Sequence, residues 1–126
     1  MADTNQRPVF LDLRRIHMPV TAVTSLGHRL TGILLFILLP FILYLFGLSL
    51  HSPRGFEQAS AWMASWPVKV MAVLIIGWYG YHLLAGVRLL MTDWDIGADL
   101  AGARRGAWVV LAGSVIILLF ALLLIL

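Results

Sequence analysis

The chain has 126 residues, of which 61% are hydrophobic and 12% charged, and its formal net charge is +3 at pH 7. Soluble domains are usually about 45–50% apolar and about 25% charged, so this composition excludes an ordinary soluble fold and indicates that lipid surrounds much of the chain. The absence of cysteine excludes disulfides, thiolate metal sites and cysteine-ligated iron–sulfur clusters within the chain.

Three apolar segments are long enough to cross a bilayer, which takes about 20 helical residues. They cover about residues 20–50, 68–91 and 107–126. Pro40 lies inside the first segment, where we expect it to kink the helix or to leave a carbonyl without its helical partner. We therefore predict an all-α integral membrane protein with three transmembrane helices. Residues 1–126 form a single domain in this prediction, and residues 1–19 form its cytoplasmic N-terminal segment.

The first connection also carries a helical pattern. Ser52 can cap a short helix that has Pro53 at its first position. Four apolar side chains then fall on one face, as in a helix that lies at a membrane surface; they are Phe56, Ala59, Met63 and Trp66. We predict a short interfacial helix in this connection.

The basic residues are distributed unevenly around the apolar segments. Seven of the nine precede or open the first segment or surround the second connection; they are Arg7, Arg14, Arg15, Arg29, Arg88, Arg104 and Arg105. The first connection has only Arg54 and Lys69. The positive-inside rule then predicts a cytoplasmic N-terminus, with Leu126 on the opposite side of the membrane. Because these charges flank apolar segments, we expect lipid contacts and no nucleic-acid binding.

Ionisable side chains at membrane depth are costly and usually functional. At 100° per residue, five of the polar or small residues at the start of the first segment fall within about a 100° arc; they are Thr21, Ser25, His28, Arg29 and Gly32. The alternative explanation is an arginine that reaches the interface and hydroxyls that bond to their own helix. Two adjacent donors, His28 and Arg29, favour an anionic or carbonyl partner.

A second polar site lies near the end of the second segment, in "YHLLAGVRLLMTD". His82 is roughly 14 Å from the cytoplasmic end of that helix, and Gly86 lies one turn away on the same face. An imidazole with a glycine beside it suits haem, because the ring nitrogen can ligate iron and the glycine leaves room for the porphyrin edge. The alternative is a histidine that is hydrogen-bonded within the helix packing.

The two sites fall at a similar depth, since His28 lies roughly 13 Å along the first helix. We therefore predict one haem site, with His82 as the axial ligand and with His28 and Arg29 as donors to the anionic propionates. In a second arrangement His28 is the other axial ligand. In the first arrangement the other ligand comes from another chain.

The sequence "RPVFLDLRRIHMPVTAVTSLGHRLTG" and the later pattern HxxxGxRxLxxD resemble the cytochrome b membrane-anchor subunit of bacterial succinate dehydrogenase. The resemblance covers nearly the whole chain except the final helix. It implies a membrane subunit of succinate:quinone oxidoreductase in the bacterial inner membrane, with no enzyme activity of its own. The implied partners are a flavoprotein that oxidises succinate, an iron–sulfur subunit, and a second small anchor. The two anchors would share haem b and reduce ubiquinone within the respiratory and tricarboxylic acid cycle pathway.

The resemblance also implies roles for individual residues. His82 matches the axial haem ligand, and His28 and Arg29 match the haem-propionate contacts, with Gly86 in the haem pocket. Ser25 and Arg29 match quinone-site positions. The other axial histidine and a quinone-binding tyrosine would come from the second anchor.

Two positions are less well defined by the resemblance. Many relatives have histidine where this chain has Leu89, which removes a local hydrogen bond but no expected ligand. Asp93 is a candidate proton relay, against the alternative that it is a structural acid beside Arg88.

Two other functions fit parts of the sequence. A haem-free structural anchor of a fumarate reductase-like complex would need the membrane helices but not the histidine and glycine pattern. A small transporter or proton conductor would need polar groups across the whole bilayer, whereas these are confined to one leaflet.

Overall fold

The computed structural model describes residues 17–126, which form four helices and no strand. These are α1 (Val20–His51), α2 (Pro53–Ala64), α3 (Trp66–Asp93) and α4 (Leu100–Ile125). Most of the predicted cytoplasmic segment, residues 1–16, lies outside the described residues, as do the arginines there that contributed to the predicted topology. Helix α1 continues through Pro40 as one element.

Three of these helices, α1, α3 and α4, are long and apolar enough to cross a membrane. This confirms the three predicted spans and the all-α class. Helix α4, the third membrane-spanning candidate, begins earlier than the predicted residue 107. Asp99 accepts a hydrogen bond from the Gly102 backbone N–H at 3.2 Å and so caps the first turn of this helix. The helix therefore includes Arg104 and Arg105, which a search for apolar residues alone leaves out.

The distribution of side chains is that of a membrane protein. Large apolar side chains point outward, among them Phe36, Leu123 and Leu124, which are 77%, 79% and 82% exposed. The buried apolar residues are small, such as Ala85 and Ala107. Most of the apolar surface of the described residues therefore faces outward, toward lipid or other membrane subunits, and little of it is buried in an internal core.

Helices α3 and α4 pack closely where glycines face large side chains. A Cβ atom at Gly77 would lie 2.8 Å from Leu118 Cδ1, and one at Gly80 would lie 2.8 Å from Ile117 Cδ1. This agrees with the use of small residues to bring membrane helices together. The contact fixes α3, which carries His82, against α4.

Helix α2 is a short helix in the first connection, where the sequence predicted one. The Ser52 side chain accepts a hydrogen bond from the Gly55 backbone N–H at 3.0 Å, and Gly55 and Ala59 are buried. Phe56, Ala59 and Met63 line an apolar groove of about 870 Å³ between α1, α2 and α3. This groove is formed by the second half of α1 and the first half of α3, so it lies away from the two histidines.

Candidate functional site

The imidazole rings of His28 on α1 and His82 on α3 are in direct contact. Their centroids are 4.1 Å apart and their planes differ by 14°, so the rings are stacked. Both residues are half-buried. The sequence predicted that these histidines lie at a comparable depth, and in the structure their rings lie side by side.

The hydrogen bonds of His82 define which of its ring nitrogens is protonated. Its Nδ1 atom lies 3.0 Å from the His28 backbone oxygen. A carbonyl oxygen can only accept, so this contact is a hydrogen bond in the tautomer with the proton on Nδ1, and we assign that tautomer. In a neutral imidazole the other nitrogen, Nε2, then keeps its lone pair. This is the protonation state that a histidine needs in order to ligate a metal through Nε2.

Glycines give the two rings their space. A Cβ atom at Gly32 would lie 3.0 Å from His82 Cε1, and one at Gly86 would lie 3.4 Å from His28 Nε2. Any side chain at Gly32 would therefore press on the His82 ring. Gly86 was predicted from its position one turn from His82, and in the structure it faces the other histidine.

A second polar cluster joins α1 to α3 within two turns of the histidines. The Tyr81 hydroxyl donates to the Thr24 backbone oxygen at 3.1 Å. A guanidinium nitrogen of Arg88, Nη1, donates to Thr24 Oγ1 at 3.3 Å. Gly27 leaves room for the Tyr81 ring, because a Cβ atom there would overlap the hydroxyl group. These contacts hold α1 and α3 in the register that brings the histidines together.

The other predicted site residues lie at the edge of this arrangement. Ser25 is half-buried and Arg29 is exposed, one turn apart on α1. Asp93 is the last residue of α3 and is exposed. Arg88 donates to Thr24, and within residues 17–126 no ion pair joins it to Asp93. The roles predicted for Ser25, Arg29 and Asp93 stay predictions.

Some residues of the site were missed in the sequence. Thr31 Oγ1 lies 3.2 Å from His82 Nδ1, and Thr24 and Tyr81 form the cluster described above. The available signal was the spacing of Thr24, Gly27 and Thr31, since small residues at such intervals line helix contacts in membranes.

The residues present could hold a cofactor more readily than a free metal ion. No group of three or more histidine or acidic side chains suited to a metal ion occurs in the described part of the chain. A haem iron needs only one or two axial side chains, because the porphyrin supplies the remaining ligands. The chemistry of His82 therefore fits a haem group.

Comparison with known proteins identifies the family. The family of succinate dehydrogenase/fumarate reductase transmembrane subunits matches residues 3–121. The chain belongs to this family. It is 30% identical over 118 residues to the succinate dehydrogenase cytochrome b556 subunit of Coxiella burnetii, covering 92% of this chain and 94% of that protein. It is 31% identical over 119 residues to the corresponding subunit of Paracoccus denitrificans, covering 93% and 92%.

A more distant relative has the same description. The succinate dehydrogenase cytochrome b556 subunit of Rickettsia prowazekii is 25% identical over 113 residues, which is 90% of this chain and 88% of that protein. The family and the three membrane-crossing helices confirm the predicted membrane-anchor type. The chain is thus a multi-pass membrane subunit of an enzyme complex of the succinate dehydrogenase and fumarate reductase family.

Proposed function

We propose that this chain is an anchor subunit of succinate dehydrogenase that binds haem b through His82 and helps to reduce ubiquinone. The observation that carries the proposal is the hydrogen bond from His82 Nδ1 to the His28 carbonyl at 3.0 Å. Metal-ligating histidines characteristically donate their second ring nitrogen to a carbonyl or carboxylate, which fixes the ring and leaves the other nitrogen for the metal. The cytochrome b556 name of the relatives also supports this cofactor.

The stacking of the rings supports a second chain as the source of the other axial ligand. If His28 and His82 both held one iron, the metal would have to lie between their ring nitrogens. Rings stacked at 4.1 Å lie side by side, so in this arrangement His28 and His82 do not ligate the same iron. The second anchor subunit would supply the other histidine, and haem b would be shared between the two anchors.

His28 and Arg29 are then available to the propionates. A haem carries two anionic propionate groups, and hydrogen bonds to a charged acceptor are about twice as strong as those between neutral groups. His28 touches the proposed ligand, and Arg29 follows it in the chain. Bound haem b would supply an iron centre that takes up and releases one electron at a time.

The quinone site uses the start of α1. Ser25 and Arg29 are four residues apart, and so they lie on one face of the helix. Ser25 would donate a hydrogen bond to a ubiquinone carbonyl, and Arg29 would stabilise the negative charge that develops on a quinone oxygen during reduction. Protons would come from the cytoplasm, with Asp93 as a candidate relay at the end of α3.

The proposed orientation and assembly follow from the positions of the charges. The quinone residues, Arg88 and the arginines of α4 belong to one end of the bundle, which would be cytoplasmic, with Leu126 periplasmic. The iron–sulfur and flavoprotein subunits would dock at that end in the bacterial inner membrane. Electrons from succinate would then reach the quinone beside Ser25.

Two observations on the purified complex test this function. An absorption spectrum of the dithionite-reduced complex should show a b-type haem, whereas a haem-free spectrum would favour the structural anchor of a fumarate reductase-like complex. Ser25→Ala and Arg29→Leu should lower succinate:ubiquinone reductase activity by roughly 10²-fold, as loss of a fixed donor typically does. Succinate oxidation with a soluble artificial acceptor should persist.

Matched variants control for general damage to the bundle. Ser49→Ala changes a serine of α1 that bonds only to the Phe46 carbonyl of its own helix, and Arg54→Leu removes an exposed arginine from α2. Both should retain ubiquinone reduction. Full ubiquinone reductase activity in Ser25→Ala and Arg29→Leu would show that these residues of α1 do not form the quinone site.

A further inference from the structure

Thr31 is one of two polar residues that are buried in the described part of the chain, with 9% of its surface exposed. Its hydroxyl oxygen lies 2.8 Å from the Gly27 carbonyl and 3.0 Å from the His28 carbonyl, both on its own helix. The same oxygen lies 3.2 Å from His82 Nδ1 on α3. Thr31 is therefore a hydroxyl bridge between the backbone of α1 and the imidazole of α3.

The proton positions follow from what each group can donate. A threonine hydroxyl has one proton and two lone pairs. The shortest contact, to Gly27, takes the hydroxyl proton, and a lone pair is then left facing His82. Since Nδ1 of His82 is protonated, it donates to two acceptors, the His28 carbonyl at 3.0 Å and Thr31 Oγ1 at 3.2 Å.

We infer that Thr31 is a positioning residue for His82, which adds a second acceptor at Nδ1 beside the His28 carbonyl, holds the orientation of the ring and raises the electron density at Nε2. The inference rests on the proposed ligation of haem by His82. Acceptors bonded to the second nitrogen of a ligating histidine raise its basicity, and their loss typically costs 10- to 100-fold in metal affinity or activity. A more basic ligand stabilises ferric iron relative to ferrous iron and so lowers the reduction potential.

Another threonine shows that the backbone bonds alone do not explain this geometry. Thr24 also bonds to carbonyls of α1, at 3.1 Å to Val20 and 3.0 Å to Thr21. Its side chain reaches Arg88 across the helix contact and not an imidazole. A buried threonine that only satisfies its own helix has no need to lie within hydrogen-bond distance of a histidine ring.

The test is a redox titration of haem b in the assembled complex with Thr31→Val, which keeps the shape and removes the hydroxyl. We expect the haem to be retained and its potential to rise. A tenfold loss of ferric preference corresponds to about 59 mV for a one-electron couple. Thr31→Ser, which keeps the oxygen, should return the potential to the wild-type value.

Thr92→Val is the matched control, since the Thr92 hydroxyl also bonds to a carbonyl four residues earlier, that of Arg88 at 3.0 Å. It should leave the potential unchanged. If Thr31→Val does not assemble, Thr31→Ala and Thr31→Ser make the same comparison, and haem loss in alanine but not in serine supports the inference. The role of Thr31 would be overturned if the haem spectrum is normal and the reduction potential is the same in wild type, in Thr31→Ser and in Thr31→Val (or in Thr31→Ala, where it replaces Thr31→Val). That result would leave the proposed function standing. A wild-type complex without haem b would overturn both this role and the proposed function.

Discussion

The close approach of α1 to His82 makes Gly32→Ala a sharp test of the histidine site. The new Cβ atom would lie 3.0 Å from His82 Cε1, whereas carbon atoms pack best at about 3.5–4.0 Å. The ring must therefore move away from α1 by about 0.5 Å. Because the His28 carbonyl is also on α1, this movement lengthens the 3.0 Å bond to Nδ1 toward the limit of a hydrogen bond, about 3.5 Å.

The expected loss of haem affinity in Gly32→Ala follows from the contribution of the hydrogen bond between His82 Nδ1 and the His28 carbonyl. A typical hydrogen bond contributes about 1 kcal/mol net, and disturbing the partner of a metal-bound histidine weakens metal binding by about 10- to 100-fold. We expect Gly32→Ala to lose haem at least tenfold more readily than wild type. The assay is the ratio of haem to protein in the purified complex during serial washing in detergent.

Gly47→Ala is the matched control on the same helix. A Cβ atom at Gly47 meets no other atom within 4 Å, so this change adds a methyl group without moving a ring. Its haem content should follow that of wild type through the same washes. Equal retention of haem by Gly32→Ala and Gly47→Ala would refute the reasoning, because it would mean that the position of His82 against α1 does not affect the cofactor.

Two further changes test the packing that brings α1, α3 and α4 together. Tyr81→Phe removes the 3.1 Å hydrogen bond to the Thr24 carbonyl and should lower the free energy of unfolding by about 0.6 kcal/mol, the average for such bonds in membranes. Thermal unfolding of the complex measures this change. A loss above about 3 kcal/mol would contradict a role limited to this one hydrogen bond. Gly80→Val should destabilise the complex by about 1–3 kcal/mol through overpacking, since even a Cβ atom would lie 2.8 Å from Ile117. Gly47→Val is its control in the same unfolding assay, and equal stability of the two valine variants would contradict the described contact.

The membrane architecture could be predicted from the sequence because its physical signal is local. A helix that crosses lipid needs an apolar run of known length, and three such runs were present. The signal for the short helix α2 was equally local, since Ser52 and Pro53 form a helix start signal. The first residue of α4 was harder to predict from the sequence, because Arg104 and Arg105 interrupt the apolar run, whereas the helix itself starts after the Asp99 cap.

For the histidine site, the sequence predicted only how deep each residue lies along its helix. Counting residues from the helix ends put His28 and His82 at one level, and their contact in the structure agrees. Depth does not give the rotation of one helix against another, so the stacking of the rings and the bond from His82 to the His28 carbonyl were not foreseen. Thr31 was missed for the same reason. A threonine that also contacts another helix has the same sequence pattern as one that bonds only to its own helix.

The proposed ligation of haem b by His82 is tested by the reduced-minus-oxidised spectrum of the purified complex carrying His82→Leu. His51→Leu is the control, since His51 is the exposed last residue of α1. We expect the b-type bands to vanish or to change their wavelength and intensity in His82→Leu and to stay as in wild type in His51→Leu. An unaltered haem b spectrum in His82→Leu would contradict this ligation.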